Sequence, residues 1–93
     1  MGKYIWLHNG EQCGDFLLFT KNGLGKHPWA ESNTMIQQFF QDNGVNFVTI
    51  RWKQGIAFHT FKQINENTLI CVEHGGSKKA EKEGKRILTR IVE

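Results

Sequence analysis

Thr34-Met35-Ile36-Gln37-Gln38-Phe39-Phe40-Gln41-Asp42-Asn43-Gly44 is the stretch on which the reading of the fold turns. Ile36, Phe39 and Phe40 fall at helical spacing and make one apolar face. Thr34 can cap a helix, with Gln37 completing a capping box. Pro28 is an alternative first position, where a missing N–H costs nothing. Asn43-Gly44 then ends the helix. On this reading the segment is a helix and the chain is α+β.

Beyond it come three strands. Val45 to Lys53 alternates, Gln54-Gly55 turns, Ile56 to Ile64 alternates again, and Asn65-Glu66-Asn67 leads into Thr68 to Glu73. The connections are too short for crossovers, so the meander is antiparallel. Placing Lys53 opposite Ile56 puts Val48, Ile50, Trp52, Ala57 and Phe61 on one face. Ile70 and Val72 extend that face if the next turn centres on Glu66-Asn67. The opposite face carries Phe47, Thr49, Arg51, Ile56, Phe58, Thr60 and Lys62, which is too apolar to stand bare comfortably. Ser77 then caps a last helix after Gly75-Gly76, with Ala80, Gly84, Ile87, Leu88 and Ile91 on one stripe.

Upstream, residues 3–8 alternate and end at Asn9-Gly10, a pair that favours a two-residue hairpin turn. A second extended run reaches about Thr20, and Asn22-Gly23-Leu24-Gly25 forms a loop. The expectation is a single domain over residues 1–93. An N-terminal hairpin and loop occupy 1–25, and helix, three-stranded meander and C-terminal helix occupy 28–92. The order is ββαβββα, an antiparallel sheet with two helices on one face.

The 93 residues include seven Phe, three Trp and one Tyr, and 39% of the chain is apolar. That argues against disorder and for one small core. Two cysteines, Cys13 and Cys71, are few for a secreted domain of this size, so free thiols in a reducing compartment are expected. No run is long and apolar enough to span a membrane. The opening Met1 to Trp6 has no long apolar segment, so no signal peptide is expected. The expected location is the cytoplasm.

Charge is unevenly placed. Residues 1–76 balance six Lys/Arg against six Asp/Glu, whereas residues 77–93 hold six Lys/Arg and three Glu. The whole net charge of +3 therefore lies at the C-terminal end, and local imbalance of this kind points to a partner. His74-Gly75-Gly76-Ser77-Lys78-Lys79 concentrates it. Lysines at the positive end of a helix dipole are unfavourable unless an anion is near, and helix N–H groups bind phosphate well. A solvated basic helix end is the plain alternative.

An order of helix, three strands and helix, with a Gly-rich turn into Ser-Lys-Lys, resembles the double-stranded RNA-binding domain family over residues 32–92. The resemblance implies that Lys78, Lys79 and Lys82 touch phosphates across a major groove and that the first helix, with Gln37, Gln38 and Gln41, meets a minor groove. The family's longer loop between the first two strands is replaced here by Lys53-Gln54-Gly55 alone.

Other chemistry is sparse. His8 with Cys13, and Cys71 with His74, are ligand types for zinc, but their spacings match no common site; no metal or cofactor is expected. Gly23-x-Gly25-Lys26 lacks the length and hydroxyl of a P-loop. Cys71 with His59 or His74 would need to meet to act as a thiolate pair. No catalytic signature emerges, so the chain is not expected to be an enzyme. The sequence favours a non-catalytic binding module that contacts a nucleic-acid backbone, RNA before DNA, through Gly76, Ser77, Lys78, Lys79, Lys82, Lys85 and Arg86. The alternative is a protein-interaction or homodimeric module. It would use Phe47, Arg51, Phe58 and Lys62 on the outer sheet face, or meet an acidic protein partner through the basic helix.

Overall fold

The computed structural model describes residues 2–20, 24–26, 28, 35–52, 56–76 and 84–91. Among these residues there are nine strands and no helix: β1 (Gly2–His8), β2 (Glu11–Gln12), β3 (Leu17–Phe19), β4 (Leu24–Gly25), β5 (Met35–Asp42), β6 (Val45–Trp52), β7 (Phe58–Asn65), β8 (Thr68–Gly75) and β9 (Arg86–Arg90). All pairings are antiparallel, in the order β2-β1-β9-β8-β7-β6-β5-β4, with β3 also on β1.

The sheet closes on itself. β1 pairs with β9 on one edge and with β3 on the other. Immediately after β4, Lys26 exchanges both backbone hydrogen bonds with Leu18 of β3, at 2.9 and 3.1 Å. The ring is therefore β1-β3-β4-β5-β6-β7-β8-β9, an eight-stranded barrel with β2 as a short flap on β1. Its extents of 30 × 29 × 28 Å agree with such a closed form. Closure removes sheet edges and leaves an interior just wide enough for side chains or one small ligand.

The α+β expectation is thus corrected at both expected helices. Residues 35–42 pair along their whole length with β6, from Met35 opposite Trp52 to Asp42 opposite Val45. The deciding feature is Asn43-Gly44. Both residues have positive φ, 50° and 78°, as Asn9 and Gly10 do at 53° and 84°. Two successive left-handed residues make a hairpin turn, whereas a helix end needs only one. Burial also alternates at the start of the strand, with Met35 and Gln37 buried and Ile36 between them less so.

At the other end, Gly84 has a φ of 141°, outside any helix, and a Cβ there would lie 2.1 Å from Nε2 of His8. Arg86–Arg90 runs between β1 and β8. Its Ile and Thr residues suit a strand. A basic C-terminal helix is therefore absent from residues 84–91, and residues 77–83 lie outside the described residues. The helix-strand-strand-strand-helix order that carried the resemblance to double-stranded RNA-binding domains is not found among the described residues. Pro28 lies in a turn, and Thr34 lies outside the described residues.

The meander follows the expected register, with Val48 opposite Phe61 and Ile50 opposite His59. Val48, Ile50 and Phe61 are core residues, joined by Trp6, Leu17, Phe19, Met35, Leu69 and Leu88. The continuation through Ile70 and Val72 is corrected. Register shifts on either side of residues 61–63 bring Leu69 opposite Gln63 and Cys71 opposite Phe61, and leave Val72 53% exposed. These bulges also place Cys71 and His74 on the same inner face, since Phe61 and His59, their partners, share it.

The thinnest part of the wall is at two-residue β4. There Gln37, 6% exposed, turns its amide to the main chain of Thr20. Its Nε2 donates to the Thr20 carbonyl, and its Oε1 accepts from the Thr20 N–H at 3.1 Å. The side chain thus supplies backbone-like pairing where strand is missing. Gly25 is required beside it, because a Cβ would sit 2.0 Å from the Leu18 carbonyl oxygen.

Candidate ligand site at one end of the barrel

Alternation along each strand selects the side chains that point into the barrel, and position along the strand sets the end at which they lie. At one end, Trp6 meets His59 and Phe61 edge-on, at 4.8 and 5.3 Å between centroids. His59 lies 5.9 Å from His74. Arg86, 5% exposed, donates from Nη1 to the Gly84 carbonyl at 3.4 Å. The Cys71 thiol lies close enough to feel the Arg86 charge, but burial outweighs it and pushes the thiol pKa up. A thiol held protonated is a poor nucleophile, so the imagined Cys71–His pair gains nothing from its setting. Among the described residues no group of three or more His, Cys, Asp or Glu could hold a metal ion.

The other end is open. A cavity of about 420 Å³ is lined by Tyr4, Phe19, Phe39, Phe40, Gln41, Asn46, Phe47, Val48, Gln63 and Leu69. Three aromatic rings form a chain on one side, Tyr4 to Phe19 at 5.2 Å and Phe19 to Phe39 at 5.3 Å, both edge-to-face. Phe40 and Phe47, cross-strand partners on the outer face beside this opening, stack on each other, 5.2 Å apart with 7° between planes. Across from the first chain runs a row of amides. Gln41 donates to Asn46 at 2.6 Å, and Asn46 donates to Gln63 at 2.9 Å. Tyr4 is half-buried here, and desolvation raises its pKa against the opposing pull of Arg90, so the phenol is neutral and can donate.

Each of these positions follows from strand geometry. Phe39 and Gln41 are two apart on β5, Asn46 and Val48 two apart on β6, and every such pair shares a face. The Asn43-Gly44 turn fixes Gln41 opposite Asn46. A volume of this size, lined half by aromatic rings and with a few convergent polar groups, is of the order that small-molecule sites have.

Apart from Gln41 and Phe47, which border the cavity, the residues singled out from sequence lie elsewhere. Gly76 has a φ of 83°, and a Cβ would strike the Ile56 carbonyl at 2.0 Å, so its glycine serves the close approach of two segments. Ser77, Lys78, Lys79 and Lys82 lie outside the described residues. Lys85 is exposed, with its backbone tied to Asn9 in both directions at 2.8 and 2.9 Å. Arg86 is buried in the barrel and adds nothing to a basic surface. Phe47 pairs with Lys62, and Phe58 pairs with Arg51 farther along the same hairpin. Arg51 and Lys62 are exposed, whereas the Phe58 ring covers Gly75, 3.1 Å from where a Cβ would be. The N-terminal hairpin does not cover this outer face, because β1 is itself part of the barrel wall.

Tyr4, Phe19, Phe39, Asn46 and Gln63 were not singled out from sequence as site residues, and Gln41 was named only for a minor groove. The signal for Phe39 was available: Gln37, Phe39 and Gln41 recur at period two within the stretch read as a helix. Comparison with protein-family models, curated proteins and solved structures finds no match.

Proposed function

We propose that this chain is a non-catalytic binding module whose site is the open mouth of the barrel and whose ligand is a small, largely apolar molecule. One observation carries the reading: the cavity of about 420 Å³ rimmed by Tyr4, Phe19, Phe39 and the Gln41–Asn46–Gln63 amides. A protein of this size has little apolar surface to spare. Phe39 nevertheless stands 51% exposed at that opening. A large ring left half-open beside a concave space marks a surface kept for a partner. We place the protein in a reducing compartment such as the cytoplasm, in keeping with Cys13 and Cys71 as free thiols. Among the described residues no helix is long and apolar enough to cross a membrane.

Benzyl alcohol is a suitable probe, since it pairs a flat ring with one hydroxyl. Titrated into the isotope-labelled protein, it is expected to bind in the millimolar range, about what so few atoms can reach. Amide resonances of Phe39 to Val48, Gln63 and Leu69 should move, and those of His59 and His74 should stay. No shifts, or shifts centred on the histidine end, would refute the site.

A further inference from the structure

Tyr4 and Arg90 meet at the mouth. They are cross-strand partners on β1 and β9. The next pair inward, Trp6 and Leu88, is buried in the core, so Tyr4 and Arg90 share that inner face. Gly2 lies one inward position farther out on β1 and has no side chain, and both residues lean over it. Nε of Arg90 lies 3.5 Å, and Cε1 of Tyr4 3.6 Å, from the point where a Gly2 Cβ would stand. Resting on the mouth as the binding site, we infer that its ligand carries one carboxylate on an apolar body. The Arg90 guanidinium and the Tyr4 hydroxyl hold the carboxylate, and the body lies along Phe19, Phe39 and Leu69.

Three observations converge on that class. The first is a cation without a counter-charge. Asp42 and Glu66 stand at the β5–β6 and β7–β8 turns of this end, yet among the described residues Arg90 forms no ion pair. A guanidinium matches a carboxylate with two parallel hydrogen bonds. The other cations nearby are turned away. Lys3 sits over the Phe16 ring, 4.4 Å from its centroid, and Lys62 lies on the outer face opposite Phe47. One cation answers one negative charge, and a second charge on the ligand would be left against the rings without a partner.

The second is the Tyr4 phenol. Burial raises its pKa against the pull of Arg90, so it keeps its proton at neutral pH. Among the described residues its hydroxyl has no hydrogen-bond partner. A neutral O–H beside a guanidinium offers an anionic oxygen a donor and a positive charge together. No acidic side chain lines the cavity among the described residues, so nothing in the lining repels an anion.

The third is the surface that leads away from this pair. Tyr4 touches Phe19 edge-on, and Phe19 touches Phe39 in the same way. The rings run from beside Arg90 to Phe39, which is half in water, and Leu69 lines the same cavity. An apolar body anchored at Arg90 covers surface that water otherwise meets, and that burial is favourable.

The test sets benzoate against benzamide, which match in size and shape and differ in charge. Spectra of the isotope-labelled chain are followed with each at neutral pH and low salt. The inference expects both to move the Phe39 and Leu69 amides. Benzoate should also move the Arg90 side-chain N–H and bind about fivefold tighter, the worth of one partly exposed ion pair. That preference should fade at about 1 M salt, where charges are screened within about 3 Å. Arg90 is exposed and its backbone pairing with Tyr4 needs no side chain, so Arg90→Gln should leave the fold intact. This variant should lose the preference while binding benzamide as before. Equal binding of the two probes by the unaltered protein would overturn the carboxylate and leave the mouth standing as a neutral site. A preference that survived Arg90→Gln would overturn the assignment to Arg90. Phenyl phosphate held tighter than benzoate would overturn the singly charged head. Failure of benzoate, benzamide and benzyl alcohol alike would overturn the mouth itself.

Discussion

The two ends of the barrel interior are built from the same strands and do different work. One end is filled: Trp6, His59 and Phe61 interlock, Met35, Ile50 and Leu88 are fully buried, and Arg86 reaches back to the chain at Gly84. The other is left open, with Phe39 half-exposed at a cavity and a row of amides bonded to one another. In a chain of 93 residues the filled end supplies stability and the open end forgoes it. Sites for ligands are commonly made this way, from groups that pack poorly until something fills them.

The contrast is broken most sharply by truncation. Leu88→Ala at the centre of the core should cost about 3–5 kcal/mol, a large part of the total for a small domain, and Trp6→Ala a similar amount. Phe39→Ala at the mouth should cost about 1 kcal/mol or less, since its ring is already half in water, yet it should weaken benzyl alcohol binding. Urea titrations of the three variants check this. Equal destabilisation by Phe39→Ala and Leu88→Ala would mean that the mouth is structural.

The seam beside β4 comes next. Gln37→Leu leaves the Thr20 N–H and carbonyl without their partner and should cost about 1–3 kcal/mol. Gly25→Ala drives a Cβ into the Leu18 carbonyl and should speed exchange of the Leu18 and Lys26 amides with solvent. Unchanged protection of those two amides would deny that the seam is closed by this pairing.

Each end also holds one weak acid whose pKa burial raises, Tyr4 at the mouth and Cys71 at the packed end. In the unfolded chain each loses its proton first as pH rises. Their favourable contribution is therefore complete below the ordinary value and fades above it, from about pH 8.5 for the thiol and about pH 10 for the phenol. Cys71→Ala should flatten the first part of the alkaline fall in stability, and Tyr4→Phe should flatten the second. The sign is opposite for Asp15, whose carboxyl is held below its usual range by Lys26 at 2.6 Å. That contribution is present at neutral pH and fades as acid protonates the folded carboxylate. The pair is exposed, so Lys26→Met should change the melting temperature least of all.

Half of the architecture was legible because its signals are local. Asn9-Gly10 and the β6–β7–β8 meander combine alternation with short turns, and the register that places Val48 opposite Phe61 follows from period two alone. The rest was hidden for two physical reasons. In residues 34–44 a cluster of large apolar residues satisfies helical and strand spacing alike. The same Asn-Gly pair that ends β1 was read there as a helix stop. In β9 the partners are β1 and β8. Pairing with β1, more than seventy residues away in the chain, leaves no local trace, whereas Ile87, Leu88 and Ile91 mimic a helical stripe. The candidate site inherits this blindness. Its walls come from six strands, and Phe39 and Gln41 become inward-facing neighbours only once residues 35–42 are a strand.

The most direct test of a filled end and a receptive end is an isotope-filtered NOE experiment on the labelled protein with benzyl alcohol. The account predicts contacts from the probe's ring protons to Tyr4, Phe39 and Leu69 and none to Trp6, Met35 or His59. Contacts to Trp6 or Met35, or contacts confined to the outer surface, would contradict it.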